Sequence, residues 1–140
     1  MISRSMPAIG AGILAALLCG PAAAASIEVQ VSPVADSGGT INVAVCDKER
    51  FLKQCAYSAA VPAQAGTMKV VIDGVPPGSW AVLAYHDANA NSKLDRSPIG
   101  MPTEKYGFSR NARNMFGPPA FEKAAIEVGD GPAVAPITLR

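Results

Sequence analysis

From Ser26 onward the chain alternates apolar and polar residues with a period of two, and glycine, proline and asparagine break the alternation at intervals. SIEVQVS (26–32) sets Ile27, Val29 and Val31 on one face and Glu28, Gln30 and Ser32 on the other, the pattern of a half-buried strand. DSGGT (36–40) interrupts it, and the Gly38-Gly39 pair signals a hairpin. TINVAVCD (40–47) resumes with Ile41, Val43 and Val45 in phase, and TMKVVIDGV (67–75) repeats the pattern with Met68, Val70 and Ile72. Between these two, KERFLKQ (48–54) reads as one helical turn or a packed loop with Phe51 and Leu52 facing inward.

Pro76, Pro77 and Gly78 force a turn, after which residues 80–86 run extended. There Trp80, Val82, Ala84 and His86 share one face and Ala81, Leu83, Tyr85 and Asp87 the other. Both faces are largely apolar, so this strand is expected at the centre of a sheet. Residues 87–119 then form a long irregular polar segment, which in a compact domain signals function or disorder. FEKAAIEV (121–128) reads by pattern as a strand or a short helix, the β-branched residues at its end and the Gly129–Gly131 turn favouring a strand, and AVAPITLR (133–140) closes the chain with Pro136 marking an edge or a bulge. The expected fold is all-β, a two-layer antiparallel β-sandwich of about seven short strands, in a single domain over 26–140 with one long irregular loop.

The first 25 residues change the picture of the compartment. A weakly basic start with Arg4, a continuous apolar run from Ala8 to Leu18 and the small residues of PAAAAS have the layout of a signal peptide, with cleavage after Ala25 and Ala24 as the alternative. The run is too short to be a stable membrane span, and Leu18 before Cys19 opposes lipid attachment. The protein is therefore expected in the periplasm or outside the cell, without a transmembrane segment. Of the 12 Lys and Arg only Arg4 lies in this leader, leaving 11 basic against 11 acidic residues. A neutral chain without a basic cluster gives no electrostatic reason to expect nucleic acid or an anionic membrane as partner. Cys46 and Cys55, an even pair in an exported chain, favour a disulfide closing a small loop over two separate thiols.

VPPGSWAVLAYHDANANSKLD, followed by IGMPTEKYGFSRNARNMFGPPAFEKAAIEV, resembles the bacterial family known as domain of unknown function 2141. The shared pieces are a proline-glycine turn, a strand ending in His-Asp, an N-x-N-G-K-L-D loop, G-x-P-x-E-x-Y-G-F-S and G-P-P-x-F. They run from Val75 to Val128. The resemblance implies an exported protein with a transthyretin-like or prealbumin-like sandwich, and it implies no biochemical role.

HDANANSKLD (86–95) carries the most specific candidate chemistry. Calcium takes six to eight oxygen ligands, and a loop can supply them from positions 1, 3, 5, 7 and 9. Asp87, Asn89, Asn91, the Lys93 carbonyl and Asp95 occupy those positions, and Glu104 would add a carboxylate if the following segment folds back. Two positions depart from the pattern. Ser92 stands where the sharp turn, and the family pattern, call for glycine, and Pro98 stands where a bidentate glutamate is usual. A loop closed by Asx turns, in which Asp and Asn side chains bond their own backbone, fits as well and is favoured.

His86 is the one histidine, which excludes a multi-histidine zinc site. A small hydrolase would have to set it against Asp87 or Asp95 and take Ser92, Ser97 or Ser109 as nucleophile. No G-x-S-x-G elbow and no phosphate-cradling glycine loop is present. Tyr106, Phe108, Phe116 and Phe121 cluster around Gly107 and Gly117. They either pin the long segment over one sheet or line a groove for a protein, peptide or carbohydrate, with Arg110, Asn111 and Arg113 as polar contacts. The sequence reading is thus a non-catalytic binding or structural module of the cell envelope with an optional calcium clamp, and a His86 hydrolase as the alternative.

Overall fold

The computed structural model describes residues 24–140, together with Gly10, Gly12 and Ile13. The expected leader, including Cys19, otherwise lies outside the described residues. Eight strands follow: β1 Ala25–Val34, β2 Thr40–Cys46, β3 Tyr57–Pro62, β4 Gly66–Val75, β5 Gly78–Asp87, β6 Tyr106–Phe108, β7 Ala125–Val128 and β8 Ala133–Thr138. A single 3-10 turn, Ser109–Asn111, and one short helical turn α1, Phe121–Ala124, complete the elements. One sheet has the order β4-β1-β8. The other has the order β3-β2-β5-β6, with β7 also pairing β5.

The period-two pattern places the core. Ile27, Val29 and Val31 of β1, Val70 and Ile72 of β4 and Ile137 of β8 meet Ile41, Val43 and Val45 of β2 and Val82 and Ala84 of β5. Full burial of a Val or Ile side chain contributes about 1.5–3 kcal/mol, so this inter-sheet layer dominates the fold's stability. β5 lies inside its sheet, as its two apolar faces require. Its outer face carries a second cluster: Ala81 and Leu83 are covered by Phe108, Ala124, Phe51 and Phe121. Phe51 meets Phe108 and Phe121 edge-on, with ring centroids 5.9 and 5.7 Å apart.

Several expectations are corrected. Gly38-Gly39 does not close a hairpin. β1 is already flanked by β4 and β8, so the turn carries the chain across to the other sheet. There a side chain at Gly39 would meet the Asp87 carbonyl, and its φ of 69° lies in the left-handed region open to glycine. β8 runs parallel to β1, the one departure from an antiparallel pattern. The reason is directional: β7 descends against β5, and the turn at 129–132 returns the chain upward in the other sheet, where β1 also ascends. FEKAAIEV divides into α1 and β7. Leu52 is half exposed with φ 62°, so Phe51 alone of that pair turns inward.

Pro136 lies on the edge strand β8 and is exposed. Cys46 and Cys55 are bonded, closing a loop of nine residues' separation between β2 and β3. Such a small loop stabilises by about 2–3 kcal/mol in the chain-entropy account.

Candidate functional site

β5 ends in Tyr85-His86-Asp87, and strand alternation sends His86 to one face and Tyr85 and Asp87 to the other. Asp87 is fully buried. Its Oδ2 accepts the Ser92 amide at 2.6 Å and the Asn42 side-chain amide at 3.2 Å, and its Oδ1 accepts the Asn91 amide at 3.1 Å. Asn42 comes from the neighbouring β2 and also donates to the Tyr85 hydroxyl at 2.9 Å, while Thr40 donates to its carbonyl at 2.8 Å. Burial, foremost, pushes the Tyr85 phenol up from its ordinary value. A carboxylate buried with three donors is satisfied; removing the donors or the acceptor would leave unpaired groups.

The donors from 91 and 92 reach Asp87 because the backbone turns left-handed twice, at Ala90 (φ 52°) and Ser92 (φ 63°). Position 92 thus has the conformation that the family pattern fills with glycine. Further along, Asn89 and Asn91 point their side-chain nitrogens at the Asp95 carboxylate, each at 2.7 Å. Their oxygens accept backbone amides instead: Asn91 Oδ1 takes the Lys93 amide at 3.0 Å and Asn89 Oδ1 the Asn91 amide at 3.4 Å.

Glu104 does fold back. Its Oε1 accepts the Asp95 amide at 3.2 Å and its Oε2 the Ala88 amide at 3.1 Å, fastening both ends of the loop. Burial first, and the hydrogen bond between its carboxyl and the Asp95 carboxyl second, push the Glu104 carboxyl up, against the backbone amides of Asp95 and Ala88, which lower it. The same hydrogen bond, helped by Asn91, pulls Asp95 down.

The calcium donor set can be tested against this geometry. Asp87, Asn89, Asn91, Lys93, Asp95 and Glu104 all belong to one loop, as the spacing suggests. The side-chain oxygens of Asp87, Asn89, Asn91, Asp95 and Glu104, however, accept N–H donors, and among the described residues no group of three or more Asp, Glu, His or Cys is placed to hold a metal ion. This is the arrangement of Asx turns.

His86 does not meet Asp87 or Asp95. Its Nε2 donates to the Gly38 carbonyl at 2.6 Å, and the carboxylate nearest its ring is Asp36, at 3.8 Å. Its backbone amide is bound by the Lys105 carbonyl. Asp36, 50 positions away, carried no sequence signal beyond its place in a turn. Ser109 is fully buried and serves the sheet. β6 covers the edge of β5 up to Leu83 and β7 covers it from Ala81 down. At the vacated position between them the Ser109 Oγ accepts the Val82 amide at 2.9 Å and donates to the Ala124 carbonyl. Gly107, opposite Ala84 in the β5–β6 pair, is required by the approach of β8, since a Cβ there would collide with the Thr138 carbonyl.

Of the aromatic surface, Phe108 is buried and Tyr106 packs edge-on against it at 5.9 Å. Asn111 accepts the Thr138 amide at 3.0 Å, and Arg110 reaches the Glu122 carbonyl at 3.4 Å. Phe116 stands apart, 90% exposed. A cleft of roughly 70 Å³ lies between β6, β8 and the 112–119 segment, lined by Tyr106, Phe108, Asn111, Arg113, Asn114 and Arg140 among others. Arg110 and Phe116 do not line it. Asn114 and Arg140 were not legible as its neighbours, because only the long-range docking of β8 on β6 brings them there. Pockets for small molecules usually hold several hundred Å³, so this cleft admits a small group or a few waters.

These features define a β-sandwich whose one long crossover is ordered by a buried aspartate and a returning glutamate. The family model described as "Uncharacterized protein conserved in bacteria (DUF2141)" matches residues 29–135, and the chain belongs to that family. No curated protein and no solved structure matches it.

Proposed function

We propose that the chain is an exported, non-catalytic binding or structural module of the bacterial cell envelope that presents residues 88–119 as its functional surface. One observation carries the reading. The buried polar residues among those described are His86, Asp87 and Ser109, and each is hydrogen-bonded within the protein, to backbone groups and, for Asp87, also to the Asn42 side-chain amide. A general base or nucleophile needs hydrogen-bonding capacity directed at a substrate. Here that capacity holds the 36–40 turn, the 88–92 loop and the β6–β7 junction. The leader-like N-terminus and the Cys46–Cys55 pair support export. Calcium enters only as an addition to a loop already closed. To bind, it would have to turn the Asn89 and Asn91 oxygens inward and displace the Asp95–Glu104 hydrogen bond.

The test is a panel of ester and amide substrates assayed with the purified protein and with His86→Ala. No turnover by either protein is expected, together with lower stability of the variant. Turnover that His86→Ala abolishes while fold and stability are retained would replace this reading by the hydrolase.

A further inference from the structure

The neutrality of the chain conceals a segregation of charge. Residues 88–117 carry Lys93, Arg96, Lys105, Arg110 and Arg113 against Asp95 and Glu104, so five cations face two carboxylates. The rest of 24–140 carries six basic and nine acidic residues. Both carboxylates of the segment are occupied within the loop, Asp95 by Asn89 and Asn91 and Glu104 by the amides of Ala88 and Asp95. Among the described residues none of the five cations pairs with a carboxylate.

Four of the seven exposed large apolar side chains of 24–140 fall in the same segment, the others being Leu52, Val71 and Val134. Ile99 (85% exposed) and Met101 lie on a turn closed by the Ser97 amide on the Met101 carbonyl and by bridging of Arg96 with Pro102. Met115 (85%) and Phe116 lie on a second turn, closed by bridging of Asn114 with Gly117. Tyr106 and Arg140 exchange backbone hydrogen bonds. The first turn leads into β6 through Thr103 and Lys105, and the second lines the cleft beside Tyr106 and Arg140.

We propose that these two turns form a peripheral contact with an anionic phospholipid surface. Ile99, Met101, Met115 and Phe116 enter the acyl boundary, and Arg96, Lys105, Arg110 and Arg113 meet the headgroup phosphates. Apolar side chains flanked by cations are the composition that binds such interfaces, by apolar burial plus electrostatic attraction. Shape favours a lipid surface over a protein. The apolar groups stand two to a turn on two separate exposed turns, and a deformable interface accepts such projections where a protein partner would need a matching pocket for each. The proposal rests on the reading of 88–119 as the presented surface. It can fail without that reading failing, because it concerns only what the surface meets.

The test is sedimentation of the exported protein, its N-terminus established by mass spectrometry, with vesicles of phosphatidylcholine alone or mixed with phosphatidylglycerol. Binding to the mixed vesicles is expected, weakened by salt. Met115→Ser/Phe116→Ser and Arg110→Gln/Arg113→Gln should each reduce partitioning by at least about tenfold, taking about fivefold per cation near the surface. Near-UV circular dichroism of each variant verifies its fold. No binding to mixed vesicles at low salt overturns the proposal. So does binding that the apolar double variant leaves unchanged, or equal binding to soluble poly-glutamate, which would identify a surface for acidic proteins.

Discussion

The backbone amide of Ser92 donates to Oδ2 of Asp87 at 2.6 Å, joining the start of the long crossover to the last residue of β5. Asn91 and Asn42 complete the set of donors around that carboxylate. Asp87→Asn keeps the shape but turns an NH2 group toward at least one of these N–H donors. Leaving buried donors unpaired costs about 1–3 kcal/mol each, so Asp87→Asn should lose about 2–3 kcal/mol in urea unfolding. A loss under 0.5 kcal/mol would show that the loop does not depend on this contact.

Ser92 holds a left-handed backbone with φ 63° and is exposed. Glycine adopts that conformation without penalty from a Cβ, although it adds entropy to the unfolded chain. Ser92→Gly should therefore stabilise by about 0.5–1 kcal/mol, and Ser92→Val should destabilise, both read from thermal midpoints.

Ser109 closes the gap at Val82 where β6 hands over to β7. Ser109→Ala strips a partner from the Val82 amide and from the Ala124 carbonyl in a fully buried place. The expected loss is about 2–4 kcal/mol, with faster amide exchange at Val82 as the local signature. A hydrolase nucleophile at this position would instead lose activity with stability kept.

The strands that alternate were legible because one face of each meets the inter-sheet core: β1, β2, β4, β5 and β8 all lie within two or three residues of where the pattern puts them. β3 was not, since Ser58, Ala59 and Ala60 offer no contrast between faces and the strand sits at a sheet edge. Neither was β6, three residues long, whose extended form is set by pairing with Leu83–Tyr85 and not by its own pattern. At the site, the oxygen-rich spacing marked the loop, and Glu104 was named only as a further calcium carboxylate, whereas it accepts the Asp95 and Ala88 amides. Which atoms face inward depends on the two left-handed turns and on Asn42 from β2, and local spacing carries neither.

Glu104 and Asp95 titrate in opposite senses. Glu104, raised above its ordinary 4.5, contributes stability that is complete below that value and is lost as pH rises through its raised pKa. Asp95, lowered below 3.8, contributes stability present above that value and lost as pH falls through its lowered pKa. Glu104→Gln keeps a hydrogen-bonding group beside Asp95 without the proton. From pH 4.5 to 7 the midpoint of the natural protein should fall relative to Glu104→Gln. A relative rise over that range would contradict the pairing.

The central claim, that Asp87 orders the 88–105 loop from within, is tested most directly by amide hydrogen exchange of Asn91 and Ser92 in chelator-containing buffer. Both amides should be protected, and Asp87→Asn should release them; adding several millimolar calcium should leave their rates within about twofold. Exchange at the rate of an unstructured chain without calcium, with protection appearing only when calcium is added, would contradict the account and make the loop a metal site.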